Sequence, residues 1–215
     1  MSETSTFDFN AFIKESKETL VNPKSYFTTM KTSGGWAEPL IKVVIYGAVA
    51  GVIAFVWSVL GLGGIKAGMF GGAIGAMALV WSIVGAIIGL FIGAVILLII
   101  SSICKGSTDF EANARVVAAS MVIMPINAIL GFTAGISSWF GMIISLCISL
   151  YALYILYHGL VEALKAKPET SKIVMYVLAA LLVLFMLLGM STRNKMSKYM
   201  DNEDVKEMLK DIEQQ

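Results

Sequence analysis

Few residues in this chain could do chemistry, and the most conspicuous is its single histidine, His158. Tyr154 lies four residues before it and Glu162 four residues after it, so on an α-helix the three side chains share one face. An imidazole in this setting could respond to protons or contact a lipid headgroup. The alternative is an interfacial histidine within an aromatic belt, with no chemical role of its own.

Two further sites contain polar residues that could act on a substrate. Pro125 lies inside an apolar stretch and predicts a helix kink, and Asn127 beside it could bond to a neighbouring helix or contact a substrate. Asp109 and Glu111 could form a carboxylate pair, but Thr108-Asp-Phe-Glu111 has the spacing of a helix-capping box. We therefore expect these two acidic residues to be structural.

No other motif indicates catalysis. The sequence contains no Cys/His metal spacing, no nucleophile elbow and no phosphate-binding glycine loop. We therefore expect no catalytic residue, no cofactor and no metal. The net charge of +1 gives no reason to expect nucleic acid as a partner.

Composition argues strongly against a soluble enzyme. The 215 residues are 57% hydrophobic and only 14% charged, whereas soluble domains carry about 25% charged residues. Four stretches hold at most one charge each, and none alternates with period two, so they predict helices rather than barrel strands. These stretches are residues 40–60, 67–104, 116–161 and 173–190.

Two of these stretches exceed the ~20 residues that one membrane span needs. Residues 116–161 must fold back, and the Gly and Ser cluster at 131–138 marks the turn. For residues 67–104 we favour a Gly-rich segment to about Gly72 and then one long span over a hairpin of two short spans. The sequence thus predicts an all-α polytopic membrane helix bundle with about five transmembrane helices, at about 40–60, 73–104, 111–133, 138–162 and 172–190.

Polar segments flank this predicted membrane domain, which covers residues 39–192. Residues 1–38 contain amphipathic stretches that predict interfacial helices, the second of them opening at Asn22-Pro23. The alternative is that they pack on the protein itself. The polar tail, residues 193–215, predicts a short amphipathic helix from the spacing of Val205, Met208, Leu209 and Ile212, with fraying as the alternative.

Positive charge sets the expected orientation. Lysines concentrate in the N-terminal segment and in the loops after the second and fourth spans, which places the N-terminus in the cytoplasm and, with five spans, the C-terminus outside. Basic residues directly after the last span favour six spans instead. We expect five cations in or beside the cytoplasmic loops to meet lipid headgroups: Lys105, Arg115, Lys165, Lys167 and Lys172.

Small-residue spacing is the most repeated motif, and its longest run is Gly85, Gly89 and Gly93. Glycines at this spacing let helices approach closely. Packing within the chain is one interpretation, and a homodimer seam is the other. The spans themselves carry hardly any Asp, Glu, Lys or Arg, which argues against proton-coupled transport.

Four short segments are informative together, because of their order and their spacing along the chain. They are Asn22-Pro23-x-x-Tyr26-Phe27, Trp36-x-x-Pro39-Leu40, Gly106-x-x-x-Phe110 followed by Pro125, and Tyr157-His158-Gly159-Leu160. Together they resemble the Yip domain family over about residues 20–190. The resemblance implies five spans, a cytoplasmic N-terminus and no enzymatic activity. In eukaryotes it implies trafficking between ER and Golgi and membrane shaping.

One region departs from the eukaryotic branch of that family. An Asp-Leu-Tyr-Gly-Pro stretch is replaced here by Gly34-Gly35-Trp36-Ala37-Glu38-Pro39, and the long acidic N-terminal region is missing. The chain looks like the short prokaryotic branch, so the expectation of Rab-type GTPase binding is weakened and the cell (inner) membrane is the expected location.

These observations favour a non-enzymatic membrane organiser, shaping protein or trafficking-type scaffold. Its expected partners are membrane lipids and either a second copy or other membrane proteins. The alternative is a small-solute or lipid transporter with a path near the third and fourth spans, at Pro125, Asn127 and His158. A membrane-embedded enzyme ranks third.

Overall fold

The structure is a computed structural model that describes residues 8–62 and 71–200, with the side chains of residues 71–76, 78 and 190–200 outside the description. The described residues form nine α-helices and one π-helical turn, Gly159–Ala163, which continues α8. The α-helices are α1 (Phe9–Val21), α2 (Pro23–Thr29), α3 (Ala37–Val59), α4 (Gly71–Ile103), α5 (Phe110–Ser120), α6 (Ile123–Leu130), α7 (Thr133–Ile136), α8 (Ser138–His158) and α9 (Pro168–Met200).

Five helical segments among the described residues are long and apolar enough to cross a membrane, which confirms the prediction of five spans. α3 provides the first span and α4 the second, α5 to α7 together form the third, α8 with the π turn forms the fourth, and α9 contains the fifth. Their bounds are Ala37–Val59, Leu79–Ile103, Phe110–Ile136, Ser138–Ala163 and Pro168–Gly189.

The long second apolar stretch is one helix, as expected. α4 runs without interruption from Gly71 to Ile103, so the hairpin alternative is wrong. Most of the predicted Gly-rich segment before it, residues 63–70, lies outside the described residues. α9 likewise continues to Met200, and the predicted amphipathic helix near 205–212 lies outside them as well.

The third span contains the kink that Pro125 predicts. Because proline has no N–H and its ring crowds the carbonyl four residues earlier, regular helix fails at Met121. The Val122 N–H bonds instead to the Ala119 carbonyl at 3.3 Å, and the Met124 N–H bonds to the Met121 carbonyl at 2.9 Å. These shorter-range bonds mark the break between α5 and α6.

α5 is the centre of the bundle. Every residue from Ala112 to Ser120 is buried, and α3, α4, α8, α1 and the π turn all contact this helix. Alanines on several of its sides allow neighbours to approach closely. α9 lies at the periphery, where α8 and the π turn are its principal contacts among the described elements.

The α3–α4 interface depends on glycine. A Cβ added at Gly47 would lie 2.9 Å from the Ala86 Cβ, and one added at Gly51 would lie 3.1 Å from the Leu79 Cα. The Ser82 hydroxyl donates to the Gly47 carbonyl at 2.9 Å, which closes the interface further. The glycine spacing on α3 therefore serves packing within the chain.

The predicted Gly85–Gly93 stripe is also used mainly within the chain. A Cβ at Gly89 would meet the Met121 Cε at 3.3 Å, and one at Gly93 would meet the Val117 Cγ1 at 3.0 Å, while Gly85 faces open space. α5 and the turn after it therefore cover two of the three glycines. The idea of a homodimer seam along all three is corrected accordingly.

The two N-terminal helices are capped by their own sequence. The Asp8 carboxylate accepts from the backbone N–H groups of Asn10 and Ala11 at 2.9 and 3.1 Å. The Asn22 side chain caps α2 through the Ser25 N–H, with Pro23 in the first turn, as the sequence predicts. Both helices pack onto the bundle rather than projecting from it.

Candidate functional site

An ion-pair network joins the N-terminal helices to the bundle. The Lys42 ammonium lies 2.7 Å from a Glu15 carboxylate oxygen and 2.7 Å from a Glu38 oxygen. The Arg115 guanidinium lies 2.9 Å from the other Glu38 oxygen and 3.0 Å from Glu111. Glu38 therefore bridges both cations and connects α3 with α5, while Glu15 connects α1 to Lys42.

A glycine turn before α3 completes the network. The Gly35 N–H donates to Glu111 at 2.7 Å, and Arg115 donates to the Gly35 carbonyl at 2.8 Å. Gly34 and Gly35 have φ angles of +136° and +90°, a region that favours glycine. A Cβ at Gly34 would also lie 3.1 Å from Arg115 Nη2, so this turn fits closely around the guanidinium.

The two cations of the network are buried, and its acids are more exposed. Lys42 is 6% exposed and Arg115 is 5% exposed. Each buried cation has two carboxylate partners, which offsets the cost of removing it from water. Lys42 also lies 3.4 Å from the Tyr26 hydroxyl; burial raises the pKa of this phenol, while the lysine beside it acts in the opposite direction.

The network corrects the expectation for Arg115. This residue was expected to meet lipid headgroups, but its guanidinium is buried among Glu38, Glu111 and the Gly35 carbonyl. The other four expected headgroup contacts are exposed: Lys105, Lys165, Lys167 and Lys172. Sequence reasoning missed the network, although the four-residue spacing of Glu38 with Lys42 and of Glu111 with Arg115 hinted at its pairs.

The capping box expected at the start of the third span is displaced by one residue. Asp109, not Thr108, is the N-cap of α5, and its carboxylate accepts from the Ala112 N–H at 2.7 Å. Glu111 does not reach back to the cap but bonds to Arg115 and Gly35. Both acids thus have structural contacts.

The loop after α4 and the loop after the π turn are hydrogen-bonded to each other as a clasp, at the end of the bundle that also holds the ion-pair network. The Lys167 N–H donates to the Cys104 carbonyl at 2.9 Å, and the Ser107 N–H donates to the Leu164 carbonyl at 2.8 Å. A Cβ at Gly106 would lie 2.6 Å from the Ser101 hydroxyl, so this position admits only glycine without rearrangement. The clasp fixes the ends of the second, third and fourth spans to one another.

His158 lies in an aromatic cluster at this end. Its ring packs edge-on against Tyr154, with centroids 4.7 Å apart, and against Tyr157 at 5.2 Å. Its Nδ1 atom is buried and has no hydrogen-bond partner among the described residues. Glu162 accepts a bond from the Thr28 hydroxyl at 3.4 Å, so its contact is with α2. Tyr154 and His158 meet as predicted.

The π turn next to His158 is closely packed. Gly159 starts the turn, and the Leu164 N–H bonds to the Gly159 carbonyl at 3.1 Å. A Cβ on Gly159 would collide with a Val116 methyl group and would touch the Phe27 ring at 3.4 Å. α2 and α5 therefore come directly against the end of α8.

The residues named for the transport path lie at different depths in the bundle. Phe110 starts the third span and Ala163 ends the fourth, and both lie beside the clasped loops. Along the helix axes, Pro125 lies ~22 Å from Phe110 and His158 lies ~8 Å from Ala163. These positions therefore differ in depth by ~15 Å. Asn127 is exposed on the surface of α6.

A groove does open between α8 and α9, beside Tyr154. It has a volume of about 320 Å³, and its walls are mostly apolar. The lining residues are Leu150, Leu153, Tyr154, Tyr157, Lys172, Met175, Tyr176 and Ala179. Sequence reasoning selected Tyr154 and Lys172 but did not predict that they would line one groove.

This arrangement of five spans with clasped loops and docked N-terminal helices agrees with the comparison against protein families. The Yip1 domain family model matches residues 17–190. The chain belongs to the Yip1 domain family. It is therefore an integral membrane protein, and its apolar helices contact lipid. Neither a curated protein sequence nor a solved structure matches the chain.

The Yip1 domain contains nearly all of the features described above. Its match begins within α1 and ends at the close of the fifth span, so it includes the clasp, the aromatic cluster, the groove and the whole network except Glu15. Across the described residues, no three His, Cys, Asp or Glu side chains come together as metal ligands would. The contacts of the network and the clasp hold the helices in place.

Proposed function

We propose that this Yip1 domain protein is a non-enzymatic membrane organiser that shapes the bilayer by enlarging one leaflet. The observation that carries the proposal is the position of α1 beside the spans rather than beyond their ends. The Ser16 and Tyr46 hydroxyls are 2.7 Å apart, and the Phe12 and Tyr46 rings are 5.2 Å apart. Phe12 also packs with Val122 of the third span.

The depth of α1 follows from these contacts. Glu38 and Lys42 are charged and mark the region where α3 enters the interface. Tyr46 lies one turn further along α3, or ~6 Å deeper. An interfacial helix sinks roughly 5–10 Å into the boundary between headgroups and acyl chains, so α1 lies at the depth typical of such helices.

The outer face of α1 suits this position. Phe9 and Ile13 are 58% and 51% exposed, and Lys14 and Lys17 are exposed on the same helix. Apolar rings and chains can enter the acyl region while the lysines extend to the headgroups. α1 and α2 thus add area to one leaflet.

Rigidity makes this asymmetry effective. The ion-pair network and the packing of α2 on the π turn hold both helices against the bundle. Because these helices cannot move away from the bundle, the protein is wider in one leaflet than in the other, and the surrounding lipid must curve to fit it. The wide end of the molecule is the end that carries α1 and α2. We place this end in the cytoplasmic leaflet of the cell (inner) membrane, supported by the exposed lysines of the clasped loops.

Vesicle shape tests the proposal. The purified full chain, reconstituted at increasing protein-to-lipid ratio, should lower the mean vesicle diameter measured by electron cryo-microscopy. The variant Phe9→Gln/Ile13→Gln should lose most of this effect, because each substitution removes roughly 1.5 kcal/mol of apolar burial in the leaflet.

Asn10→Gln is the matched control, since it alters an exposed polar residue between the two positions. It should narrow vesicles as the unaltered chain does. Vesicle diameters that do not depend on protein density, or that fall equally with the double variant, would contradict a shaping role for α1.

A further inference from the structure

We propose that the groove between α8 and α9 is a binding site for one anionic glycerophospholipid, with its phosphate at Lys172 and an acyl chain along the apolar walls. The inference deepens the proposed function and rests on it, because it names the lipid class that this membrane organiser holds. It is carried by the polarity of the groove, by unpaired polar groups towards one end and by the exposure of the two helices.

The groove changes from polar to apolar along its length. On α9, Lys172 lies at one end, Tyr176 one turn further, and Ala179 at the other end. α8 runs antiparallel, so Tyr157 lies level with Lys172 and Leu150 lies level with Ala179. The seven residue steps from Lys172 to Ala179 span ~10 Å. A phospholipid has the same order, with charge at the interface and methylene groups below it.

The groove offers donors that nothing in the described part of the chain uses: Lys172 and Tyr157 at its polar end, and Tyr154 and Tyr176 about one turn further along it. Lys172 forms no ion pair there, and the hydroxyls of Tyr154, Tyr157 and Tyr176 have no hydrogen-bond partner. Glu169, one turn earlier on α9, does not line the groove. One ammonium and three phenols match a phosphodiester, which carries one negative charge and accepts several hydrogen bonds.

The position of the groove selects a lipid as its occupant. The fourth and fifth spans are the least covered by the rest of the protein, each with only 6% of its most apolar window buried. The groove between them therefore opens towards acyl chains. Its volume of about 320 Å³ lies within the ordinary range of ligand sites. Lys172 favours a headgroup of net negative charge, because a zwitterionic headgroup carries its own cation beside the phosphate, and the lysine repels that cation.

Native mass spectrometry of the full chain in a non-ionic detergent tests the site. Titration with dioleoyl phosphatidylglycerol should saturate at one tightly bound lipid per chain, whereas dioleoyl phosphatidylcholine should bind more weakly and without saturation. Lys172→Gln should weaken phosphatidylglycerol binding about fivefold, the effect of one lysine near an anionic headgroup. Lys31→Gln, at an exposed lysine between α2 and α3, is the charge-matched control and should leave this binding unchanged.

A second pair of variants tests the apolar end. Ala179→Phe fills the groove and should abolish saturable binding, while Ala180→Phe alters the exposed neighbour and should retain it. Inorganic phosphate should not displace the lipid, because the acyl chain supplies much of the contact. Equal binding of both lipids, insensitivity to Lys172→Gln and Ala179→Phe, or displacement by phosphate would each overturn the proposal.

This experiment separates the site from the shaping role. A chain that binds one phosphatidylglycerol but leaves vesicle diameter unchanged supports the site and contradicts the shaping proposal alone. A chain that narrows vesicles but does not distinguish the two lipids contradicts the site alone.

Discussion

Replacing Glu38 with glutamine is expected to lower the free energy of unfolding by about 2 kcal/mol. Removing one partner of a buried ion pair costs roughly 3–5 kcal/mol, and the partial exposure of Glu38 reduces this figure. The cost is high for a half-exposed residue because one carboxylate serves both buried cations, Lys42 and Arg115. Glutamine keeps the shape of the side chain, so the loss of stability measures the contribution of the charge.

A denaturing-detergent titration followed by tryptophan fluorescence would measure this effect. Glu169→Gln, an exposed acid at the start of α9, is the control and should shift stability by less than about 0.5 kcal/mol. Glu38→Gln combined with Lys42→Met should cost less than the sum of the single variants, since the double variant leaves fewer unpaired charges. Strict additivity would mean that the contacts do not form a network.

Adding one methyl group at Gly47 and at Gly85 is expected to have opposite effects. Gly47→Ala should cost about 1–3 kcal/mol, because the new Cβ would lie 2.9 Å from the Ala86 methyl and 3.2 Å from the α4 backbone. Gly85→Ala should be neutral or should stabilise by up to about 1 kcal/mol, because that site is open and alanine favours helix.

Thermal unfolding of both variants in detergent would show the contrast. The pair shares one substitution type and similar surroundings in sequence, so a difference in sign can come only from packing. Equal losses at both positions would contradict the α3–α4 interface as described and would restore a role for Gly85 in contact with a second copy.

The sequence was sufficient to predict the parts of the fold that depend on local chemistry. Five spans follow from apolar length, and the start of α2 follows from Asn22-Pro23. The kink before Pro125 follows from a missing N–H and a ring that crowds Met121. Each of these features depends on residues within a few positions of one another.

Features that depend on distant residues were not predictable in this way. The Arg115 side chain was expected at the headgroups because its charge adjoins a loop, but Glu38 lies 77 residues away in sequence. The glycine stripe on α4 was compatible with either a neighbouring helix or a second copy, and only the position of α5 decides between them. The groove likewise combines residues of α8 and α9 whose pairing has no sequence signal.

The sidedness of both termini is the most direct test of the proposed arrangement, in which α1 and α2 lie in the cytoplasmic leaflet beside five spans. Fluorescent-protein and alkaline-phosphatase reporters, fused in turn before Met1 and after Gln215 of the full chain, would report it in cells. We expect fluorescence at the N-terminus and phosphatase activity at the C-terminus, because an odd number of spans separates them. Fluorescence at both ends would require an even number of spans, and phosphatase activity at the N-terminus would place the wide end in the opposite leaflet; either result would contradict the arrangement.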